Sequence, residues 1–243
     1  MERERRAEHA HPGWNMILNM QNAISEPAED RPVVARVAQR AVARREAGYA
    51  EEVRRLLDAG LAVMHRCGTT SSPRVADIVQ AAGLSNEAFY RHFASKEELV
   101  AAILEAGAER LVSYLRHQIG KERDPRAQIR RWIEGVVAQA ADPLVAEQTR
   151  AVLWNGNQVG DAVRGGGRGG SIREPLARLL EPPLSAAGSA DPARDGIVVC
   201  HAVMGRMEEF LWRRVPPSDQ DQAHLVTFCL TATIGLRPSR KTR

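Results

Sequence analysis

The chain has 243 residues, 44% hydrophobic and 26% charged. That is the mix of an ordinary globular protein, so wholesale disorder is excluded and a core of normal size needs no disulfide or metal staple. Aromatics are only 5%, and the apolar volume comes mostly from Ala, Val and Leu, which suits helices better than a sandwich or barrel. The net charge is +4 with a pI near 9.3, and 31 of the 34 basic residues are arginine, the exceptions being Lys96, Lys121 and Lys241. A basic balance of this size is a weak pointer toward nucleic acid or membrane partners.

The three cysteines, Cys67, Cys200 and Cys229, are odd in number and far apart, which predicts free thiols in a reducing compartment. No uninterrupted apolar stretch approaches the ~18 residues a membrane span needs. The first residues lack the apolar region of a secretory signal. The expectation is a cytoplasmic protein with no membrane partner.

Residues 1–30 mix His, Pro, Gly and charges without periodicity and read as a mobile extension, with Met16 and Met20 as alternative starting methionines. Ala and Arg then dominate Val33 to Arg45, a weaker helical pattern. The first strong helix is Tyr49–Cys67, where Val53, Leu56, Leu57, Gly60, Leu61 and Met64 recur at the α period. Gly68 closes it, and Ser72 with Pro73 predicts an N-cap and first helical position for a short helix Arg74–Ala82. Gly83 suits a left-handed C′ position, Leu84 plugs back into the core, and Ser85 caps a second short helix, Asn86–Ala94. Ser95-Lys96-Glu97-Glu98 reads as a capping box opening a helix to about Ile119.

Beyond Lys121, Asp124-Pro125 starts a helix to about Ala141 and Asp142-Pro143 another to about Val163. Gly165–Gly170 reads as a flexible connector. A helix near Ser171–Leu180 ends before Pro182-Pro183, Asp191-Pro192 begins one of some twenty residues, and Ser218 opens the last, to about Ile234. The fold class is all-α, with about nine helices.

The block Arg74–Phe93 is two short helices joined by a tight turn containing Gly, the helix-turn-helix arrangement. Ile78, Val79, Leu84 and Phe89 can meet in one apolar cluster. Burying Phe89 and Phe93 leaves Asn86, Glu87, Tyr90, Arg91 and His92 facing out, as major-groove readout requires.

From about Tyr49 to Leu99 the sequence resembles the DNA-binding domain of the TetR (tetracycline-repressor-like) family of bacterial transcriptional regulators. The resemblance rests on Gly68, on Asp77-Ile78-Val79 through Ala82-Gly83-Leu84-Ser85, and on Phe89-Tyr90-Arg91-His92-Phe93 followed by Ser95-Lys96-Glu97-Glu98-Leu99. It covers about a fifth of the chain. It implies a ligand-responsive repressor that binds a palindromic double-stranded DNA operator as a homodimer and is released by a small-molecule effector. Carried over by position, Tyr90 and His92 would contact phosphate or groove edges, and Lys96 a phosphate beside a helix N-terminus. Ser85, Asn86 and Glu87 would lie nearest base edges, while Ser71, Ser72 and Arg74 would touch backbone. The sequence departs from the family where Asn86-Glu87-Ala88 replaces a small or glycine-containing segment. It departs again where Pro73 and Arg74 replace Thr and an aliphatic residue.

The implied organisation is the extension 1–35, a helix-turn-helix domain 36–100, a helical effector-binding and dimerisation domain 101–236, and a basic tail 237–243. In the third segment Trp132, Trp154, Met204, Met207 and Phe210 are adaptable large side chains suited to an apolar effector cavity. The stripes Val199, Val203, Leu211 and Leu225, Phe228, Ala232 suit a four-helix interface between two copies.

No HExxH, Walker loop, GxSxG or GxGxxG stands in its required context, and Cys200-His201 points its two side chains about 100° apart. Hence no enzyme, cofactor or metal is expected. The competing reading is a helical small-molecule-binding or enzymatic domain with a vestigial helix-turn-helix. By position, residues 36–68 carry +3 while 69–100 carry −1, so the arginines Arg36, Arg40, Arg44, Arg45, Arg54 and Arg55 are the ones placed to reach phosphates as an arm.

Overall fold

The computed structural model describes residues 32–158 and 173–235. The expected extension up to residue 31, the glycine connector and the basic tail lie outside these residues. Among the described residues there are helices and no strands, in agreement with the all-α expectation.

In chain order the helices are α1 (Val33–Cys67), α2 (Val75–Ala82), α3 (Asn86–His92), α4 (Lys96–Ile119), α5 (Pro125–Val137), α6 (Pro143–Gln158), α7 (Arg173–Arg178), α8 (Glu181–Ala187), α9 (Pro192–Arg213) and α10 (Asp219–Ile234), with one 3-10 turn at Ala138–Ala140. The chain divides into two compact units, residues 1–51 and 52–243. In the first, the described residues are almost all α1, and every residue from 37 to 50 is exposed.

The second unit holds two apolar clusters. The smaller is built from Leu56, Val63 and Met64 of α1, Ile78, Val79 and Ala82 of α2, Phe89, Phe93, and Leu99, Val100 and Ile103 of α4. The larger joins α5, α7, α8, α9 and α10 around Trp132, Ile133, Leu176, Leu184, Val203, Met207 and Cys229. Gly60 lets α1 and α4 approach closely, for a Cβ there would stand 2.8 Å from Ile103 Cδ1.

The caps explain most boundaries. Asp124 accepts from the Ala127 amide with Pro125 in the first turn, Asp191 accepts from the Arg194 amide ahead of Pro192, and Ser218 and Asp221 form a reciprocal capping box. Three expectations are corrected. The Ala/Arg stretch and the first strong helix are one helix, α1, since nothing between Arg45 and Tyr49 breaks it. Ser72 and Pro73 do not start α2, whose N-cap is Arg74 with no side-chain cap. Pro182-Pro183 opens α8 rather than only ending what precedes it, because proline is tolerated in a helix's first turn.

Candidate nucleic-acid interface

The turn between α2 and α3 is set by Gly83, at φ 62° and ψ 39°, a left-handed conformation that costs a residue with a Cβ. Leu84 N donates to Val79 O at 2.9 Å, closing the end of α2. Arg55 of α1 donates to the exposed carbonyl of Gly83 at 3.0 Å and also to that of Ala82, so a cation sits at the C-terminal end of α2. Ser85 Oγ then accepts from Ala88 N at 3.1 Å and starts α3 as expected.

Phe89 fixes the rotation of α3. Its ring is fully buried, with Phe93 at 5.9 Å and Tyr90 edge-on at 5.2 Å between centroids. With Phe89 inward, Ser85, Asn86 and Glu87 are exposed and Tyr90 is 59% exposed.

The last turn of α3 behaves differently from the outward-facing expectation. His92 Nε2 lies 2.7 Å from Glu52 Oε2, and its side chain is only 9% exposed. Arg91 Nη1 donates to the same carboxylate at 3.1 Å. The hydrogen bond from His92, assisted by the charge of Arg91, holds the Glu52 carboxyl below its ordinary range. Glu52 is the residue missed from the sequence. It lies one turn ahead of Leu56, the first buried residue of α1, but its two partners lie some forty residues on, where no spacing rule reaches.

The remaining basic groups are also paired. Arg74 grips Asp77 with two hydrogen bonds, 2.8 and 3.0 Å, which lowers the Asp77 pKa. Lys96 Nζ stands 3.7 Å from Glu97. Ser95 Oγ accepts from Glu98 N at 3.2 Å, but the Glu98 carboxylate accepts from Ala94 N at 2.7 Å, so the return half of the capping box lands one residue early. Ser71 is exposed and Ser72 half-buried. Ser71, Ser72, Arg74, Ser85, Asn86, Glu87 and Tyr90 thus all keep some exposed surface, while His92 is turned inward.

In the C-terminal helices Trp132 is fully buried and its Nε1 donates to Leu176 O at 3.1 Å, the satisfied state a buried indole needs. Met204, Met207 and Phe210 are buried in the same cluster and Trp154 is half-buried. Two clefts, of about 510 and 480 Å³, are lined by Val63, Arg66, Cys67, Asp77, Gln80 and Ala81, and by Val112, Arg116, Glu174, Pro175, Arg178 and Leu179. None of the five effector candidates borders either cleft.

The residues of the expected dimer stripe divide in two. Val199, Val203, Leu211 and Leu225 are buried within the single chain, because they form the face of α9 and α10 turned onto α5 and its neighbours. Phe228 and Ala232 are exposed, together with Ile197, Val198 and Trp212, which lie outside the expected stripe. Cys200 and Cys229 are buried, and burial pushes each thiol up to about 11. Among the described residues no group of three His, Cys, Asp or Glu could hold a metal, and no helix is long and apolar enough to cross a membrane.

A short helix pair with a glycine turn, a serine-capped second helix and an exposed first turn defines a helix-turn-helix protein. Residues 56–103 match the family model described as bacterial regulatory proteins, tetR family. The fold is shared with a solved structure of a TetR-family transcriptional regulator from Rhodococcus sp. (22% identity, TM-score 0.54, covering 76% of this chain and 99% of the other). It is shared with a second from Mesorhizobium loti MAFF303099 (18%, TM-score 0.53, 76% and 97%). The reduced form of E. coli NemR aligns comparably (16%, TM-score 0.53, 76% and 100%). At these identities the likeness is one of fold. No curated protein matches the sequence. The chain carries a TetR-family helix-turn-helix domain on the TetR-type fold, the family its sequence resembles.

Proposed function

We propose that the protein is a ligand-responsive repressor that binds a palindromic operator as a homodimer through α3. The observation that carries this reading is the outer face of α3, where Asn86, Glu87 and Tyr90 project from a helix locked in place by Phe89. An exposed Asn favours adenine, a Glu accepts from cytosine N4, and a phenol beside them reaches a phosphate. Lys96, at the first turn of α4, adds a phosphate contact if it exchanges Glu97 for DNA.

Homodimerisation is supported by exposed apolar side chains on α9 and α10, namely Ile197, Val198, Trp212 and Phe228. Two copies of these faces would form a four-helix contact and bring two α3 helices to half-sites about 34–36 Å apart. A small-molecule effector would act by favouring a state with a different spacing. Met204, Met207, Phe210 and Trp154 remain the candidates to contact it, by repacking around a ligand. Trp132 would be the fixed wall of such a site.

The test is a gel shift with DNA from upstream of the protein's own coding sequence, comparing wild type with the double variant Tyr90→Ala, Lys96→Ala. Loss of the shifted band in the variant alone is expected. Equal affinity of the two proteins at moderate salt would contradict the assignment of these side chains.

A further inference from the structure

Arg150, on α6, is buried at 5% exposure among the C-terminal helices. Its Nη1 donates to Leu211 O at 2.5 Å, near the end of α9, and its Nη2 donates to Glu147 Oε2. Its Nε is buried and has no hydrogen-bond partner among the described residues. A buried charged donor without an acceptor is costly, so the atom marks a place that an acceptor would fill.

The surroundings say what kind of acceptor. Glu147 Oε2 also accepts from Arg214 Nη1 at 3.1 Å, so a single carboxylate oxygen serves two guanidinium groups. Two cations against one anion leave an excess of positive charge at this junction. Arg214 itself caps α9 at φ 54°, a left-handed backbone that a residue with a Cβ adopts at a cost. Its amide donates to the same Leu211 carbonyl that Arg150 holds, at 3.2 Å. The Glu147 and Arg214 side chains are 44% and 60% exposed, so the guanidinium of Arg150 is reached from solvent where Glu147 stands. Trp154, one turn further along α6, is half-buried and offers an apolar ring on the same side of the helix.

We propose that Arg150, with Arg214, binds the carboxylate of the effector, which makes the ligand a small organic acid with an apolar body. The inference rests on the ligand-responsive reading above and names the chemical class of the ligand. A carboxylate fits the planar fork of a guanidinium, one oxygen accepting from Nε and the other from the neighbouring Nη2. Glu147 fills only the second of these positions, and in yielding it keeps Arg214. The helix that carries Arg150 also touches the cluster that fixes α3. Val152 of α6 packs against that cluster, and a Cβ at Gly156 would stand 2.7 Å from Leu104 Cδ1 of α4.

The full-length chain is dialysed to equilibrium against radiolabelled phenylacetate at constant ionic strength. Phenylacetate should bind, and neither its neutral amide, phenylacetamide, nor inorganic phosphate should displace it. Displacement by the amide overturns the inference, since charge would not be read; displacement by phosphate overturns the carboxylate class. Glu147→Gln frees the fork from its resident carboxylate and should tighten binding about tenfold. Arg150→Lys keeps the charge but has no Nε donor, and should weaken binding about tenfold, its fold being checked by circular dichroism. A guanidinium that only braces α6 against α9 would give no binding to the wild type or to Glu147→Gln, or equal binding to all three proteins. Either result overturns the inference and leaves the α3 reading standing. Binding through Arg150 that leaves the affinity for upstream DNA unchanged contradicts the ligand-responsive reading, with the carboxylate site still standing.

Discussion

The two apolar clusters of the second unit solve opposite problems. The smaller one, around Leu56, Ile78 and Phe89, closes on short helices and leaves their polar residues outside. It holds α3 through Glu52 and the end of α2 through Arg55, both on α1. The larger one, around Trp132, Val203 and Met207, takes in most of the C-terminal helices and yet leaves Ile197, Val198 and Phe228 in the open. A few buried residues suffice to hold a surface still, whereas long helices carry more apolar surface than one chain can cover. The first arrangement presents a rigid polar edge, and the second presents an unfilled apolar one.

The largest test of that contrast is Phe89→Ala. Removing a fully buried aromatic from the small cluster should cost about 3–5 kcal/mol in denaturant unfolding, and DNA binding should vanish with it. Phe228→Arg should do the reverse, leaving the fold intact but shifting the protein from dimer to monomer in light scattering. A dimer that survives it would place the interface elsewhere. Gly83→Ala forces a Cβ into the left-handed region and to 2.9 Å from the Arg55 guanidinium. It should destabilise by about 1–2 kcal/mol from the backbone alone, with affinity for DNA falling too. Ser85→Ala removes one cap and should cost about 1 kcal/mol.

The smallest effect is the pH dependence. Glu52 and Asp77 have their pKa values lowered in the folded protein, first by the hydrogen bonds from His92 and Arg74 respectively. Their contribution is therefore present above the unfolded carboxylate range and disappears as pH falls through the lowered folded values. Thermal melts should hold steady from neutrality to about pH 5 and decline below it, and Glu52→Gln should flatten part of that decline.

The helix-turn-helix was legible because its signals are local. Gly83, Ser85 and the spacing from Ile78 to Phe89 act within one or two turns, and each does in the structure what its chemistry requires. The Glu52 tie was not legible, since a carboxylate on α1 and the Arg91 and His92 side chains of α3 meet only after folding. The C-terminal stripes were legible as helices but not as to which side faces a partner. A stripe such as Val199, Val203 and Leu211 looks alike whether its chain or a second copy covers it, and only the packing of α5 and α7 against α9 decides. The proline pair at 182–183 was ambiguous in the same way, because proline stops one helix and starts another by the same missing N–H.

The central claim is that α3 reads DNA, and repeated selection of bound duplexes from a randomised pool tests it most directly. Enrichment of a two-fold symmetric sequence is expected, with half-site centres about one helical turn apart. Preference at particular positions should disappear in the Asn86→Ala and Tyr90→Ala variants. Recovery of unenriched DNA by the wild type, or an identical consensus from both variants, would contradict the claim.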